Sequence, residues 1–400
     1  MYPTNDSYLG YIKLNRTTVN NDLISDKADQ GAAVRYYGLD ALRAVAMALG
    51  IVLHASLPYF NTYEIWPSDD GESLAIWVVF EFIHIWRMPL FFILGGFFGA
   101  LVVQRRSWKW YRNQRWRRIG LPLIVFLPLI ALVMPYIWLY GLQGSIKGGV
   151  EIESYFNPWH LWFLFHLLTF VIVMAIWNMS RQLFSKLIPS ETIRIVWQSS
   201  ARTFLRAIYF PVPFALGVIL MIVLIPSGAE LIGNPLASFT YFLFGYGLFH
   251  RASLMKSIKH YWAAYIVTGS VGFIVYLWIV PQVTDIYNPG GENAGLGLLF
   301  IGLKVVCAVT FSLGLIGFAE QHLNTYNSRW RWLADSSYWV YLSHLPIVTF
   351  VTFLMFNISA PYEIKFLIAI FITCLLTLVT YRFFIRRTFA SVFLNGRRYE

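Results

Sequence analysis

"YYGLDALRAVAMALGIVLHASLPYF", residues 36–60, has the length and apolarity of a helix that crosses a membrane, yet it carries Asp40, Arg43 and His54. Hydrocarbon tolerates such groups badly, so a spanning helix that keeps them does so for a partner or a reaction. In helical geometry Arg43 and His54 return to within about 20° of one face, displaced by roughly 16 Å along the axis. Asp40 sits one turn before Arg43, close enough for a local ion pair.

The rest of the chain supplies the same setting. Of 400 residues, 58% are hydrophobic, 18% aromatic and 13% charged, with mean hydropathy +0.57. A water-soluble domain has nowhere to hide that much apolar surface, whereas a lipid-embedded one has its whole perimeter. The expected fold is all-α, a polytopic membrane bundle of about ten transmembrane helices. They fall at about 38–60, 74–103, 120–140, 159–179, 206–225, 235–249, 262–281, 295–318, 334–356 and 363–385. The sixth is short for a crossing and reads as re-entrant or strongly protein-buried. Residues 1–35 are polar and lack the apolar core of a cleavable signal, so they read as a mobile cytoplasmic tail. Residues 36–390 make the membrane domain and 391–400 a C-terminal cytoplasmic tail. No internal repeat is evident. Cys307 and Cys374 lie inside apolar runs, which points to neither a disulfide framework nor a metal site.

Loop charges test this division independently. The segment "RRSWKWYRNQRWRR", 105–118, is densely basic, and alternate loops repeat the sign with Arg181, Lys186, Arg194 and Arg202, then Arg251, Lys256 and Lys259, then Arg329 and Arg331. Intervening loops are acidic or nearly neutral, with Glu64, Asp69, Asp70 and Glu72 in one and Asp285 and Glu292 in another. The positive-inside rule then places both termini and every basic loop in the cytoplasm, as expected of a multi-pass membrane protein. The net charge of +11 is this topology signal plus attraction to anionic membrane lipid, and needs no nucleic acid.

Further ionisable groups occupy the spans. In "EFIHIWRMPLFF", 81–92, Glu81, His84 and Arg87 are spaced by three, and "SSYWVYLSHLPIV", 336–348, sets His344 at a similar mid-membrane depth. "NPWHLWFLFHLL", 157–168, puts His160 near the outer surface and His166 about 9 Å deeper. Imidazoles from distant segments sharing one layer are the signature of a site. Blander readings suit His166, His250, His260 and His322 as structural groups, Asp40 as the partner of Arg43, and Trp66, Trp159 and Trp262 as interfacial anchors. Glu81 stays open between the two. In the basic segment, Arg112, Arg115 and Arg118 at spacing three line one helical face, suited to a polyphosphate or to lipid headgroups.

These positions carry a resemblance. The chain resembles the acyltransferase-3 superfamily of integral membrane acyltransferases, most of all its glucan biosynthesis protein C branch. The resemblance rests on Arg43 with His54 eleven residues on, "FIHIWRMPLFFILGGFF", the Arg-x-x-Arg before Gly-x-Pro in "RWRRIGLP", "HLWFL", and "YLSHLPI". These motifs run in family order from about residue 36 to 390. Many relatives have Ser-Gly-Phe where this chain has Gly95-Gly96-Phe97, so no serine there can be a required nucleophile. No soluble domain of the kind appended in some relatives follows the tenth span, so the membrane unit is expected to act alone or with a separate partner.

The resemblance implies O-acylation of a periplasmic or cell-surface glycan, with acyl-CoA as cytoplasmic donor, succinyl or acetyl as the acyl group, and no metal. It makes His54 the expected general base and Arg43 a donor-holding group. His84, Arg87 and His344 are expected to stabilise an oxyanion or position the acceptor, with Arg112, Arg115 and Arg118 binding CoA phosphates. Intramembrane Arg, Glu and His also mark ion pathways, so a transporter or proton-coupled exporter is the alternative reading. A structural scaffold would leave the buried charges without a reason.

Overall fold

A backbone amide in hydrocarbon finds a partner only within its own helix or a closed barrel, and this chain takes the first course. The computed structural model describes residues 35–60, 66–147, 157–187, 215, 217–219, 234–282 and 294–396, and no strand occurs among them. Residues 38–400 form one compact unit. The helices are α1 (Tyr37–Ser56), α2 (Leu74–Arg105), α3 (Trp108–Arg115), α4 (Leu121–Gln143), α5 (Trp162–Leu187) and α6 (Pro235–Phe249). They continue with α7 (Ala252–His260), α8 (Trp262–Ile279), α9 (Ala294–His322), α10 (Ser328–Leu354), α11 (Tyr362–Thr380) and α12 (Ala390–Asn395).

Among the described residues, 8 helical segments are long and apolar enough to cross a membrane. They match eight of the ten spans expected from sequence. The fifth expected span, 206–225, falls mostly outside the described residues. The sixth is helical as α6, but its 15 residues are too few for an ordinary crossing. α6 is protein-buried instead, packed along α2 in the most extensive helix pairing among the described residues.

α2 is the centre of the bundle. Within its apolar stretch 78% of residues are buried, against 22% for α8 at the periphery. Peripheral helices turn large apolar side chains outward, with Trp278, Ile274 and Phe371 about 70% exposed, the pattern of a lipid-facing surface. The pairing of α2 with α6 brings backbones close. A Cβ on Gly96 would strike the carbonyl oxygen of Phe242, and one on Gly245 would strike that of Ile93. Small residues at a membrane-helix contact allow this approach. Gly95 is different: its added Cβ would meet only side-chain atoms, the Leu167 tip at 3.3 Å and the Phe242 ring at 3.7 Å.

Side chains from distant helices fix the ends of α1 and α2. Glu320 of α9 accepts from the Leu39 amide at 3.2 Å, satisfying one of the free donors that open α1. The loop between α1 and α2 is latched to α11 by a buried Lys365–Asp69 pair at 2.8 Å and by the Ser73 hydroxyl donating to Glu363 at 2.6 Å. Ser73 also caps α2, accepting from the Ile76 amide at 3.4 Å.

The basic segment has its own logic. Between α3 and α4 the chain widens into a π-turn, Trp116–Gly120, and Pro122 follows. Pro122 has no N–H to give the carbonyl four residues back, which belongs to Arg118. That carbonyl accepts from the Tyr338 hydroxyl of α10 at 2.6 Å instead. The sequence Arg-x-x-Arg-x-Gly-x-Pro thus joins the basic segment to α10. Residues 390–395, assigned above mostly to the C-terminal tail, form α12, which packs against this junction and buries Ser391 and Leu394.

The α2–α6 contact makes a prediction. Gly96→Ala should destabilise the protein by about 1–3 kcal/mol, because backbone cannot step aside, whereas Gly95→Ala should be nearly neutral. Thermal unfolding of the purified protein in detergent reads the difference, and equal effects at both positions would contradict the close backbone approach.

Candidate active site

The helix spacings converge on one cavity. On α2, His84, Arg87, Met88 and Phe91 fall at i, i+3, i+4 and i+7, so a single stripe faces inward. α1 contributes Met47 and His54, α10 contributes Tyr341 and His344, and the stretch opening α5 contributes His160, Trp162 and Phe163. These residues, with Trp66 from the α1–α2 loop, line a cavity of 260 Å³.

Imidazoles dominate it. The His54 and His344 ring centroids are 5.3 Å apart, and those of His160 and His344 are 5.2 Å apart. His344 has the best-defined hydrogen bonding. Its Nδ1 lies 2.7 Å from the Tyr341 carbonyl and 3.1 Å from that of Val340, so Nδ1 carries the proton and Nε2 the free lone pair. That Nε2 is buried without a partner, as is Nδ1 of His54.

His160 enters by an unusual turn, and sequence reasoning had placed it near the outer surface rather than in the site. Trp159, with φ 48°, is the only non-glycine residue with positive φ among the described residues. The Asn157 side chain holds this turn by accepting from the Trp159 amide at 2.8 Å, and the Tyr341 hydroxyl donates to the His160 carbonyl at 2.8 Å. The His160 ring faces the carbonyls of Tyr341 and Leu342 without reaching full hydrogen-bond geometry. The Leu342 carbonyl is available because Pro346, four residues on, has no N–H to occupy it. The readable sequence signal was "NPWH", a turn-forming Asn-Pro pair directly before a histidine.

Arg87 is the charged group of the site. It is 9% exposed, and no ion pair or hydrogen bond to its side chain forms among the described residues; its Nε is among the buried atoms without a partner. The cavity lining includes no Asp or Glu. Gly50 of α1 leaves the room for the guanidinium, since a Cβ there would lie 2.6 Å from Arg87 Nη1 and 3.4 Å from His344 Nε2. A desolvated cation with no ion pair among the described residues, set among imidazoles, is a receptor for negative charge.

The remaining candidates lie elsewhere. Arg43 does not line the cavity; it sits one turn below Met47 on the same stripe of α1, pairs with Asp40 at 3.4 Å, and lies 5.8 Å from the Phe98 ring centroid. Glu81 faces away, its carboxylate accepting from the Tyr276 hydroxyl of α8 at 2.7 Å. His166 packs among Trp162, Phe92 and Phe170 outside the lining. Arg112 is exposed, whereas Arg115 and Arg118 are half-buried. The π-turn shifts the helical register between Arg115 and Arg118, so the three do not form one straight α-helical row. Tyr338, bonded to Arg118, stacks almost parallel to the cavity residue Tyr341 at 6.3 Å. Trp66, read from sequence as an interfacial anchor, instead lines the cavity beside His54, with centroids 6.3 Å apart.

A polytopic α-helical membrane protein with a buried, imidazole-rich cavity is the class that fold and site define. The family model described as an acyltransferase domain, Acyl_transf_3, matches residues 36–382, and the chain belongs to that family of acyltransferases. It is similar to the proteins called Glucans biosynthesis protein C of Salmonella agona, Salmonella typhi and Salmonella typhimurium. Each is 28% identical over 341 residues, covering 80% of this chain and 83% of the relative. No solved structure matches the chain. Membership of an acyltransferase family sets aside the exporter reading.

The unpaired guanidinium yields a prediction whose sign is opposite to the usual core substitution. Arg87→Met removes a buried charge that no described side chain pairs with, so thermal stability should rise by several degrees, corresponding to about 1–3 kcal/mol. Acyl transfer should fall by about two orders of magnitude or more in the same variant. A loss of stability in Arg87→Met would show that the guanidinium is structurally paired.

Proposed function

We propose that the protein transfers an acyl group, succinyl or acetyl, from acyl-CoA to a hydroxyl of a glycan. The observation that carries this reading is the cavity: imidazoles able to take a proton surround a guanidinium that has no ion pair among the described residues and can hold developing negative charge. Acyl transfer from a thioester to an alcohol needs those two functions and no redox group. The glycan acceptor is inferred from the name of the relatives, which concerns glucans.

In this account His54 is the general base. It takes the proton of an acceptor hydroxyl as the oxygen attacks the thioester carbonyl, forming the new C–O bond. Arg87, with His84, holds the oxyanion of the tetrahedral intermediate. Collapse breaks the C–S bond, and the CoA sulfur recovers the proton from His54. His344 positions the acceptor beside His54. Its pinned tautomer, which leaves the Nε2 lone pair without a partner among the described residues, also makes it the second candidate for the base.

Arg115 and Arg118, with Arg112 at the rim, bind the CoA phosphates at the basic end of the bundle, and Tyr338 and Tyr341 connect that end to the cavity. Arg43, one turn below the cavity, holds the pantetheine arm or its phosphate. The loop charges orient this end, and both termini, toward the cytoplasm of the inner membrane. Donor and acceptor then enter from opposite sides.

Purified protein reconstituted with acyl-CoA and a glucan tests the chemistry. His54→Ala should lower acceptor-dependent CoA release by about 10²–10⁴-fold with folding and donor binding kept. Transfer retained in His54→Ala but lost in His344→Ala would move the base to His344. Orientation is read separately: Asp70→Cys should label with an impermeant maleimide in intact cells, and Lys109→Cys only after permeabilisation. Labelling of position 109 from outside would invert the topology.

A further inference from the structure

Three indoles form a chain at one wall of the cavity. Trp66 meets Trp138 edge to face at 4.6 Å, and Trp138 meets Trp159 at 5.0 Å. Only the first of them lines the cavity, so the other two are its backing. The arrangement is held at considerable effort by the chain. Trp159 adopts the left-handed backbone that a bulky residue avoids, and the loop carrying Trp66 is latched by the buried Lys365–Asp69 pair. The Trp66 Nε1 and Trp159 Nε1 donors are buried and meet no acceptor among the described residues. An interfacial anchor would turn its indole N–H to water or headgroups; these do not.

We propose that Trp66, backed by Trp138 and Trp159, is the platform on which the acceptor sugar lies. A pyranose ring has a face of axial C–H groups, slightly positive, that packs on the negative face of an indole, while its hydroxyls project from the rim. A ring seated on Trp66 directs a rim hydroxyl toward His54, whose ring centre is 6.3 Å from that of Trp66. This subsite rests on the proposed glycan acceptor and goes beyond it, because it selects a cyclic sugar over an acyclic alcohol.

The test compares two acceptors with the full chain in nanodiscs: a glucose oligomer, which has a ring face, and 1,3-propanediol, which has none. Trp66→Ala should raise the KM for the glucose oligomer by roughly tenfold, the worth of an aromatic stack. The KM for 1,3-propanediol should move by less than about threefold. Trp66→Phe, which keeps a smaller aromatic face, should fall between wild type and Trp66→Ala. Saturation-transfer NMR without donor should show contact to the ring C–H protons of the glucose oligomer in wild type and its loss in Trp66→Ala. Equal KM changes for both acceptors, or an unchanged sugar KM in Trp66→Ala, would overturn the platform while leaving the glycan reading in place. A wild-type protein that modifies 1,3-propanediol but no glucose oligomer would overturn both.

Discussion

A guanidinium at the middle of a membrane-spanning helix, with no ion pair among the described residues, is the constraint around which this bundle is arranged. Arg87 cannot face lipid, so α2 is enclosed by protein over most of its surface, and α6 is pressed against it closely enough to require Gly96 and Gly245. It cannot be neutralised either, if negative charge is to be bound there. The lining therefore offers histidines, uncharged when buried, and no carboxylate. The acidic group nearest to it in sequence, Glu81, turns away and takes its hydrogen bond from Tyr276. Gly50 keeps the facing surface of α1 open for the guanidinium. Stability is given up at one point so that a ligand can restore it, which is how preorganised electrostatic sites are built.

Backbone carbonyls left free by proline connect this centre to the rest of the molecule. Pro122 leaves the Arg118 carbonyl for the Tyr338 hydroxyl, and Pro346 leaves the Leu342 carbonyl facing the His160 ring. Both prolines thus serve contacts made by or to α10, the helix that carries Tyr338, Tyr341 and His344. The basic segment and the cavity are in this way tied to one rigid element.

The spans were legible because a crossing helix must be apolar over its whole length, a signal that local packing cannot mask. His54, His84, Arg87 and His344 stood out for the same reason, since charge and imidazole are rare at that depth. The shortness of α6 was readable, and so was its burial in protein, but not which helix it covers. What could not be read depends on turns and on contacts across long sequence separations. His160 seemed superficial because its distance along the chain, not the left-handed turn at Trp159, was used to set its depth. Trp66 looked like an anchor because membrane-end tryptophans usually are; its place beside His54 follows from a latch to Lys365, almost three hundred positions away. The face of Glu81 was undecidable until Tyr276 was placed opposite it.

The central claim is that the acyl-transfer reaction takes place in the cavity between α1, α2 and α10. Its most direct test is a structure of the full chain, in nanodiscs, with a non-hydrolysable thioether analogue of acyl-CoA. The account predicts phosphate density at Arg115 and Arg118, with the acyl end in the cavity and its carbonyl-position oxygen within hydrogen-bond distance of Arg87. Acyl density in the separate apolar cleft formed by Ala44, Ala48, Leu333, Val340 and Leu378, with Arg87 still unpaired, would contradict it.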